Sequence, residues 1–244
     1  MSAALIHEPG NHADSSGITR YDRLAALEML GKMPLGELMG LAHDARMRHH
    51  PQSLVTFVID TNPNYTNICM TCCDFCAFFR RAGHEEAYTL SPEALAERVK
   101  TSYGRGATTV LLQGGHNPAV GLPEWLAYIR AIRSVCPGIH IHPFSPAEYI
   151  FISRMENSPV EDILQAVYDE GIRTIPGGGA EILSERVRKE VARGKATSSE
   201  WLDVCEKAHR IGFRTTATMM FGHIETDDEI VEHLLLLREL QDRT

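Results

Sequence analysis

From about residue 53 to the end of the chain, short β-rich apolar runs alternate with longer amphipathic ones, and this rhythm constrains the fold more than any other feature. The strands are read at "SLVTFVID", "TTVLLQGG", "GIHIHPFSP", "IRTIPGGG" and "FRTTATMMFGH". The helices between and after them are read at "SPEALAERVKTSYGRG", "LPEWLAYIRAIRSV", "SPVEDILQAVYDEG", "TSSEWLDVCEKAHRIG" and "TDDEIVEHLLLLRELQ". The first of these helices opens on a Ser cap with Pro in its first turn and stops at a Gly pair. Successive β-then-α units dictate a parallel sheet, because parallel neighbours need a long crossover connection. An open doubly wound sheet and an α/β barrel both satisfy the rhythm.

Polar or Gly-rich groups lie just past nearly every strand: Asp60, Gln113 to His116, His142 to Glu148, Gly177 to Glu181, and Gly222 to Glu225. Parallel α/β folds bind ligands at the carboxyl ends of their strands, and in a barrel these ends converge on one mouth. The reading is therefore a TIM-type (β/α) barrel over residues 53–244. It holds about five units where a closed barrel has eight, so an incomplete barrel or a fragment is expected. Residues 21–52 read as a helical extension, with helices over Tyr21–Leu30 and Leu35–Arg48 broken by Gly31 and Pro34. Their apolar positions recur at helical spacing, which predicts a packing role. Residues 1–20 read as a disordered tail.

The loop after the first strand, "NICMTCCDFCAFF" at residues 67–79, holds four of the chain's six cysteines. The formal net charge is −8 and there is no basic run, which argues against a nucleic-acid partner. No apolar run approaches the roughly 18 residues of a membrane span. The N-terminal residues lack the apolar core of a signal peptide, so a cytoplasmic protein is expected. In a reducing compartment, clustered thiols point to metal binding or catalysis. Cys69, Cys73 and Cys76 form Cys-x3-Cys-x2-Cys, and three thiolates leave one iron of a 4Fe–4S cluster open to a further ligand. Phe75, before the last cysteine, can shield a cluster from solvent. A structural zinc site of three cysteines and His84 is the alternative, although structural zinc commonly uses paired ligands at set spacings. Cys72 reads as a bystander, and Cys136 and Cys205, within helical patterns, as buried small hydrophobes.

Cys-x3-Cys-x2-Cys with an aromatic before the last cysteine, after the first strand of an α/β barrel, resembles the signature of radical S-adenosylmethionine (SAM) enzymes. The flanks "NYTNIC", "CDFCAFFRR", "LLQGGHNP", "HPFSPAE", "PGGGAEILSERVR", "WLDVCEKAHRIGFRTTATMMFGHIET" and "EHLLLLRELQD" resemble the menaquinone (futalosine) branch of that superfamily. Within it the chain is most similar to the cyclic dehypoxanthinyl futalosine synthases, favoured by "NYTN" and "TTATMMFGHIET". The aminofutalosine synthases and the larger subunit of deazaflavin (FO) synthase share several of the motifs. The resemblance runs from about residue 20 to the end, and members of the family continue past "LQD". It implies a 4Fe–4S cluster on Cys69, Cys73 and Cys76, SAM on the open iron, and an electron donor such as flavodoxin. It also implies dehypoxanthine futalosine as substrate, cyclised to a spiro form after a 5′-deoxyadenosyl radical takes a hydrogen from its ribose. A chain that binds a cluster without catalysing a reaction is the non-enzymatic alternative.

The other constellations carry functional and structural readings side by side. Gln113, Gly114 and Gly115 stand where the family places a Gly-Gly-Glu motif beside SAM; here the third position is His116, and the plain reading is a turn. Glu181 and, seven residues on, Arg188 are assigned to SAM by the resemblance; otherwise Glu181 caps a helix and Arg188 is solvated. Glu148, His223 and Glu225 are candidates for the base that the cyclisation needs, or for ordinary structural residues. His140 and His142 share a face of the third strand. Asp74 reads as a loop cap, and Arg80 and Arg81 as solvated or anion-facing cations.

Overall fold

All five expected strands are present, in a shorter form than the sequence suggests. The computed structural model describes residues 12–13 and 19–244, so the tail expected over residues 1–20 lies for the most part outside the described residues. His12–Ala13 (β1) pairs antiparallel with Thr19–Arg20 (β2). Asp60–Thr61 (β3), Thr109–Leu112 (β4) and His140–Pro143 (β5) then form a parallel sheet in that order. Thr174–Ile175 (β6) and Arg214–Thr215 (β7) form a second parallel pair. Side chains link the two sheets: His140 Nε2 and His142 Nδ1 lie 3.1 and 2.7 Å from Thr174 Oγ1. Among the described residues the strands form an arc that does not close, consistent with an incomplete TIM-type barrel.

The two outermost strands are shortened most. "SLVTFVID" contributes only Asp60 to the ladder, and Leu54, Val55, Phe57 and Val58 are exposed, Phe57 by 83%. "FRTTATMMFGH" contributes Arg214 and Thr215 alone. An outer strand has one neighbour, so ladder pairing ends where that neighbour ends.

The helices are Arg23–Lys32 (α1), Leu35–His49 (α2), Pro92–Tyr103 (α3), Leu122–Val135 (α4), Pro146–Glu156 (α5), Val160–Asp169 (α6), Glu185–Val191 (α7), Ser198–Ile211 (α8) and Asp227–Arg243 (α9). Their ends follow local chemistry. Ser91 Oγ accepts from the Ala94 N–H and Gly104 follows the last turn of α3. Thr197 and Glu200 form a reciprocal cap on α8, which stops at Gly212 with φ of 112°. α5 has no counterpart among the helices read from the sequence, and α7 starts later than the helix read from Glu181. The first begins at "SPAE", where Ser145 and Glu148 cap each other, and the second is only seven residues long.

The main core lies between the sheets and α3 to α6 and α8. Trp125 stacks on Phe144 with ring centroids 3.7 Å apart, and both Cys136 and Cys205 are fully buried, as expected. A smaller core of Ala180, Leu183, Trp201, Cys205 and Leu240 fixes α9. The N-terminal helices pack only partially: α1 lies along α9 with Ala25, Ala26, Leu27 and Met29 half-buried. Neither α1 nor α2 holds a buried residue. An exposed Arg23–Asp228 ion pair adds a contact of small energetic weight between α1 and α9. Among the described residues no helix is long and apolar enough to cross a membrane.

Glu229 anchors the start of α9. Its carboxylate accepts from Arg186 at 2.6 Å, from Ser184 Oγ at 2.6 Å and from the Thr226 N–H at 2.8 Å. Those bonds, Arg186's foremost, hold its pKa down to about 2. A depressed carboxylate stabilises the fold above the ordinary carboxylate range and loses that contribution as pH falls toward 2. Glu229→Gln is expected to lower Tm at pH 7 by about 4 °C. Calorimetry from pH 7 to 2 checks this, because the gap between the two proteins should close as the native carboxylate protonates.

Candidate functional site

The cysteine loop is fastened to the scaffold from three sides. The Cys69 N–H donates to the Arg80 carbonyl at 3.1 Å, and the Met70 N–H donates to the His116 carbonyl at 3.0 Å. The Asp74 N–H donates to the Val191 carbonyl at 3.0 Å, where α7 ends. Buried Asn67 adds a fourth tie, donating to the Glu86 carbonyl at 2.9 Å and accepting from the Tyr88 N–H at 2.8 Å. A loop bonded this way holds its side chains without any regular secondary structure of its own.

Cys69, Cys73 and Cys76 all line one cleft of about 860 Å³, counted to its open mouth. Cys72 does not line it. Its backbone is left-handed, with φ of 49°, and its thiol points to the Cys69 carbonyl oxygen 3.5 Å away. The cleft opens past the carboxyl ends of β4, β5 and β6, the location expected for a barrel mouth. Phe75, Phe78 and Phe79 contribute an aromatic side, and Gln113 to His116, Glu148, Gly178, Gly179, Glu181 and Lys195 complete the wall.

The two glycines after β4 are there for space. A Cβ on Gly114 would meet the Tyr65 ring at 2.5 Å, and one on Gly115 would lie closer than 3.0 Å to the Ile68 carbonyl and to Cys69 Cβ. Gly115 thus lets the second strand's end abut the cysteine loop directly. A Cβ on Gly178 would meet Gln113 Nε2 at 2.6 Å, so the Gln113 side chain reaches from the end of β4 to the end of β6.

Glu148 is the best-partnered acid of the site. It accepts from Tyr65 Oη at 2.7 Å, the Gly114 N–H at 3.0 Å, and the Ser145 N–H and Oγ, both at 2.7 Å. Burial raises its pKa and these donors oppose the shift, with a net rise. Four donors occupy the carboxylate, so it fixes Gly114 and the start of α5. His223 and Glu225 lie together on a turn away from the cleft. Glu225 Oε2 accepts from the His223 N–H at 3.1 Å. His223 Nε2 lies 3.0 Å from the Met220 carbonyl, and Nδ1 lies 2.9 Å from both the Ile224 N–H and Glu225 Oε2.

Glu181 and Arg188, expected to act together, separate. Glu181 precedes α7 rather than capping it; Ser184 is the cap. Arg188 is buried away from the cleft and donates to the carbonyls of Gly179 at 3.0 Å and Ala180 at 2.6 Å, and to that of Ala196. Burial lowers its pKa, with Glu181 foremost among the groups opposing. Its fork is spent on turning the chain between β6 and α8. Glu181 faces the cleft. Its backbone is left-handed at φ of 42°, its Oε1 pairs with Lys195, and its buried Oε2 has no hydrogen-bond partner. A buried carboxylate oxygen without a donor is costly in the protein alone and suits a ligand that brings an N–H or O–H.

Two further groups were not assigned a role from the sequence. Lys195 supplies the ammonium of the cleft. Burial lowers its pKa, yet Glu181 and Cys73 outweigh that and keep it protonated. His116 stacks on Phe151 at 4.8 Å and lies 2.6 Å from Thr71 Oγ1 through Nδ1. Burial, with Lys195 next, pushes its pKa down to about 3, so it is a neutral imidazole.

Three thiols in one cleft fit an iron–sulfur cluster with an open iron. Among the described residues no three His, Cys, Asp or Glu side chains stand at the geometry of a single metal ion, and His84 Nδ1 is engaged by the Glu86 N–H at 3.1 Å. A multi-iron cluster spaces its thiolates more widely than a single ion does. The orphan Glu181 Oε2 and the glycine wall fit a polar ligand next to it.

A model described as "Radical SAM superfamily" matches residues 63–237. The chain is 39% identical to a cyclic dehypoxanthine futalosine synthase of Halalkalibacterium halodurans over 85% of its length and 56% of the relative's. It is 39% identical to an FO synthase of Nocardia farcinica over 95% of the chain and 26% of the relative. It is also 39% identical to a 5-amino-6-(D-ribitylamino)uracil–L-tyrosine 4-hydroxyphenyl transferase of Methanosarcina acetivorans, over 100% of the chain and 63% of the relative. The chain therefore spans from about a quarter to under two-thirds of these curated relatives. Among solved structures, methylornithine synthase (PylB) aligns with a TM-score of 0.68 at 17% identity, covering 90% of this chain and 60% of that one. At such identity the likeness speaks for the fold.

Proposed function

The chain belongs to the radical SAM superfamily, and we propose that it cyclises dehypoxanthine futalosine to its spiro form in menaquinone biosynthesis, starting from a hydrogen atom taken off the substrate's ribose. The observation that carries the radical chemistry is the convergence of Cys69, Cys73 and Cys76 on one cleft that also presents the unpartnered Glu181 Oε2. Held by Cys69, Cys73 and Cys76, a reduced 4Fe–4S cluster would supply the electron that splits SAM into methionine and a 5′-deoxyadenosyl radical able to take hydrogen from carbon. The choice of substrate rests on the "NYTN" and "TTATMMFGHIET" segments and on the futalosine synthase relative.

The chain's own residues do the rest of the work. The three thiolates anchor the cluster, and Glu181 Oε2 accepts a hydrogen bond from the amine or hydroxyls of SAM. Phe75, Phe78 and Phe79 keep water from the radical. Glu148 keeps Gly114 in place through its 3.0 Å bond, so the wall beside the ligand is fixed before binding. His116, held as a neutral imidazole by burial, adds no charge to the wall beside the ligand.

The match to the 4-hydroxyphenyl transferase, over 100% of this chain and 63% of that relative, supports a second reading, transfer of a tyrosine-derived 4-hydroxyphenyl group to a ribitylaminouracil. Anaerobic reconstitution with iron and sulfide, dithionite reduction and incubation with SAM test both. Release of 5′-deoxyadenosine with a cyclised futalosine product supports the first. Product only from the uracil and tyrosine supports the second, and a loaded cluster that releases no 5′-deoxyadenosine refutes both. Glu181→Ala is expected to weaken SAM binding about tenfold, the weight of one charge-assisted hydrogen bond, read by equilibrium dialysis.

A further inference from the structure

Lys195 brings a positive charge to the cysteine loop from an unrelated part of the chain. It sits in the short connection between α7 and α8, and two contacts fix that connection against the loop. The Asp74 N–H bonds the Val191 carbonyl at 3.0 Å, and Gly194 lies so close that a Cβ there would come within 3.2 Å of Thr71 Cα. The Lys195 ammonium reaches over Phe75, 5.6 Å from the ring centroid, and Phe75 stands between Cys73 and Cys76. Its side chain is only 18% exposed and, with all three cysteines, lines the same cleft.

We propose that Lys195 tunes the iron–sulfur cluster held by Cys69, Cys73 and Cys76, raising its reduction potential so that the one-electron reduced form is accessible. The proposal rests on the cluster reading above. Reduction adds one negative charge to a centre already bearing three thiolates. A fixed positive charge in a poorly hydrated cleft favours that reduced form. Glu181 is paired with Lys195 and works against it, so the sign depends on which charge dominates at the sulfurs. The ammonium reaches over Phe75, between two of the three cysteines, so the positive end of the pair is the one laid against the loop. The cation therefore wins at the loop, and the carboxylate, held on the ligand side by its free oxygen, trims the effect.

Potentiometric titration of reconstituted protein with dithionite, without SAM and followed by the reduced cluster's EPR signal, tests this independently of turnover. Lys195→Met is expected to lower the ratio of reduced to oxidised cluster at a given solution potential at least tenfold, a 59 mV shift for a one-electron couple. Glu181→Gln should move the potential in the opposite direction. The double variant Lys195→Met/Glu181→Gln, which leaves no lone buried carboxylate, should still lie below wild type. Lys195→Arg should stay near wild type. Full iron and sulfide in Lys195→Met or the double variant with an unchanged potential would overturn the proposal and leave the cluster reading standing. Loss of the cluster in the Arg variant as well would make Lys195 a structural residue and overturn it too. Wild-type protein that takes up no iron would remove the cluster reading itself.

Discussion

Cys69→Ser, Cys73→Ser and Cys76→Ser are each expected to cut iron uptake on reconstitution from about four atoms per chain to below about one, whereas Cys72→Ser keeps the full load. The contrast follows from where the four thiols point. Three line one cleft, and each would hold one iron of a site-differentiated cluster. A serine oxygen is a harder donor that stays protonated near neutral pH, so it replaces a thiolate poorly. With two ligands left, the cluster has no stable hold. Cys72 instead turns its sulfur to the Cys69 carbonyl, 3.5 Å away, and a serine hydroxyl can donate the same bond. Its backbone at φ of 49° makes a further point, since glycine adopts that conformation without strain. Cys72→Gly should therefore also retain iron. Iron and acid-labile sulfide assays, with the visible absorption of the cluster, read all five variants. A Cys72 variant that loses iron while Cys69→Ser keeps it would reassign the ligand frame.

The cluster loop was legible because its message is local: spacing along a few residues decides which thiols can share a metal. The order of strands and helices was legible for a similar reason, as periodicity and caps are short-range. Burial was harder to read. The apolar positions of α1 and of "SLVTFVID" have the spacing of packed elements, yet Leu24 and Phe57 face solvent, because burial depends on what lies opposite. The acids show the same division. Ser145-x-x-Glu148 is a capping-box pattern, and read that way it would have announced both α5 and the occupied state of Glu148. Seven residues of separation suggested that Glu181 and Arg188 share a helix face, but the helix begins only after Ser184. Arg188 then turns inward to three carbonyls, and Lys195, which in sequence looks like any solvated lysine, takes the place in the cleft. No spacing rule relates residues 76 and 195; only the fold brings them together.

Gly115→Ala is expected to destabilise the protein by about 3 kcal/mol and to impair iron uptake with it. The added Cβ would enter the space of the Ile68 carbonyl and come within 2.9 Å of Cys69 Cβ. Those obstacles are main chain and the root of a side chain, so no rotamer change clears them. The loop is bonded on both flanks of the clash, from Cys69 to Arg80 and from Met70 to His116, and Gly115 itself donates to the Thr66 carbonyl at 3.0 Å. Relief requires breaking at least one of these bonds, each contributing about 1 kcal/mol, and shifting Cys69 away from the other two thiols. Gly114→Ala should cost less, because its obstacle at 2.5 Å is the Tyr65 ring, which can swing at the expense of its bond to Glu148. Gly31→Ala is the control. It lies within α1 with nothing inside 4 Å of a new Cβ and should gain up to about 1 kcal/mol from helix propensity. Urea unfolding of the apoproteins with parallel iron assays separates the cases. If the two effects at Gly115 share one cause, the denaturation midpoint and the iron content must fall together. A stable Gly115→Ala protein without iron would mean that the loop had yielded and taken Cys69 with it, whereas a stable protein with full iron would show that the second strand's end and the cysteine loop do not need their close approach.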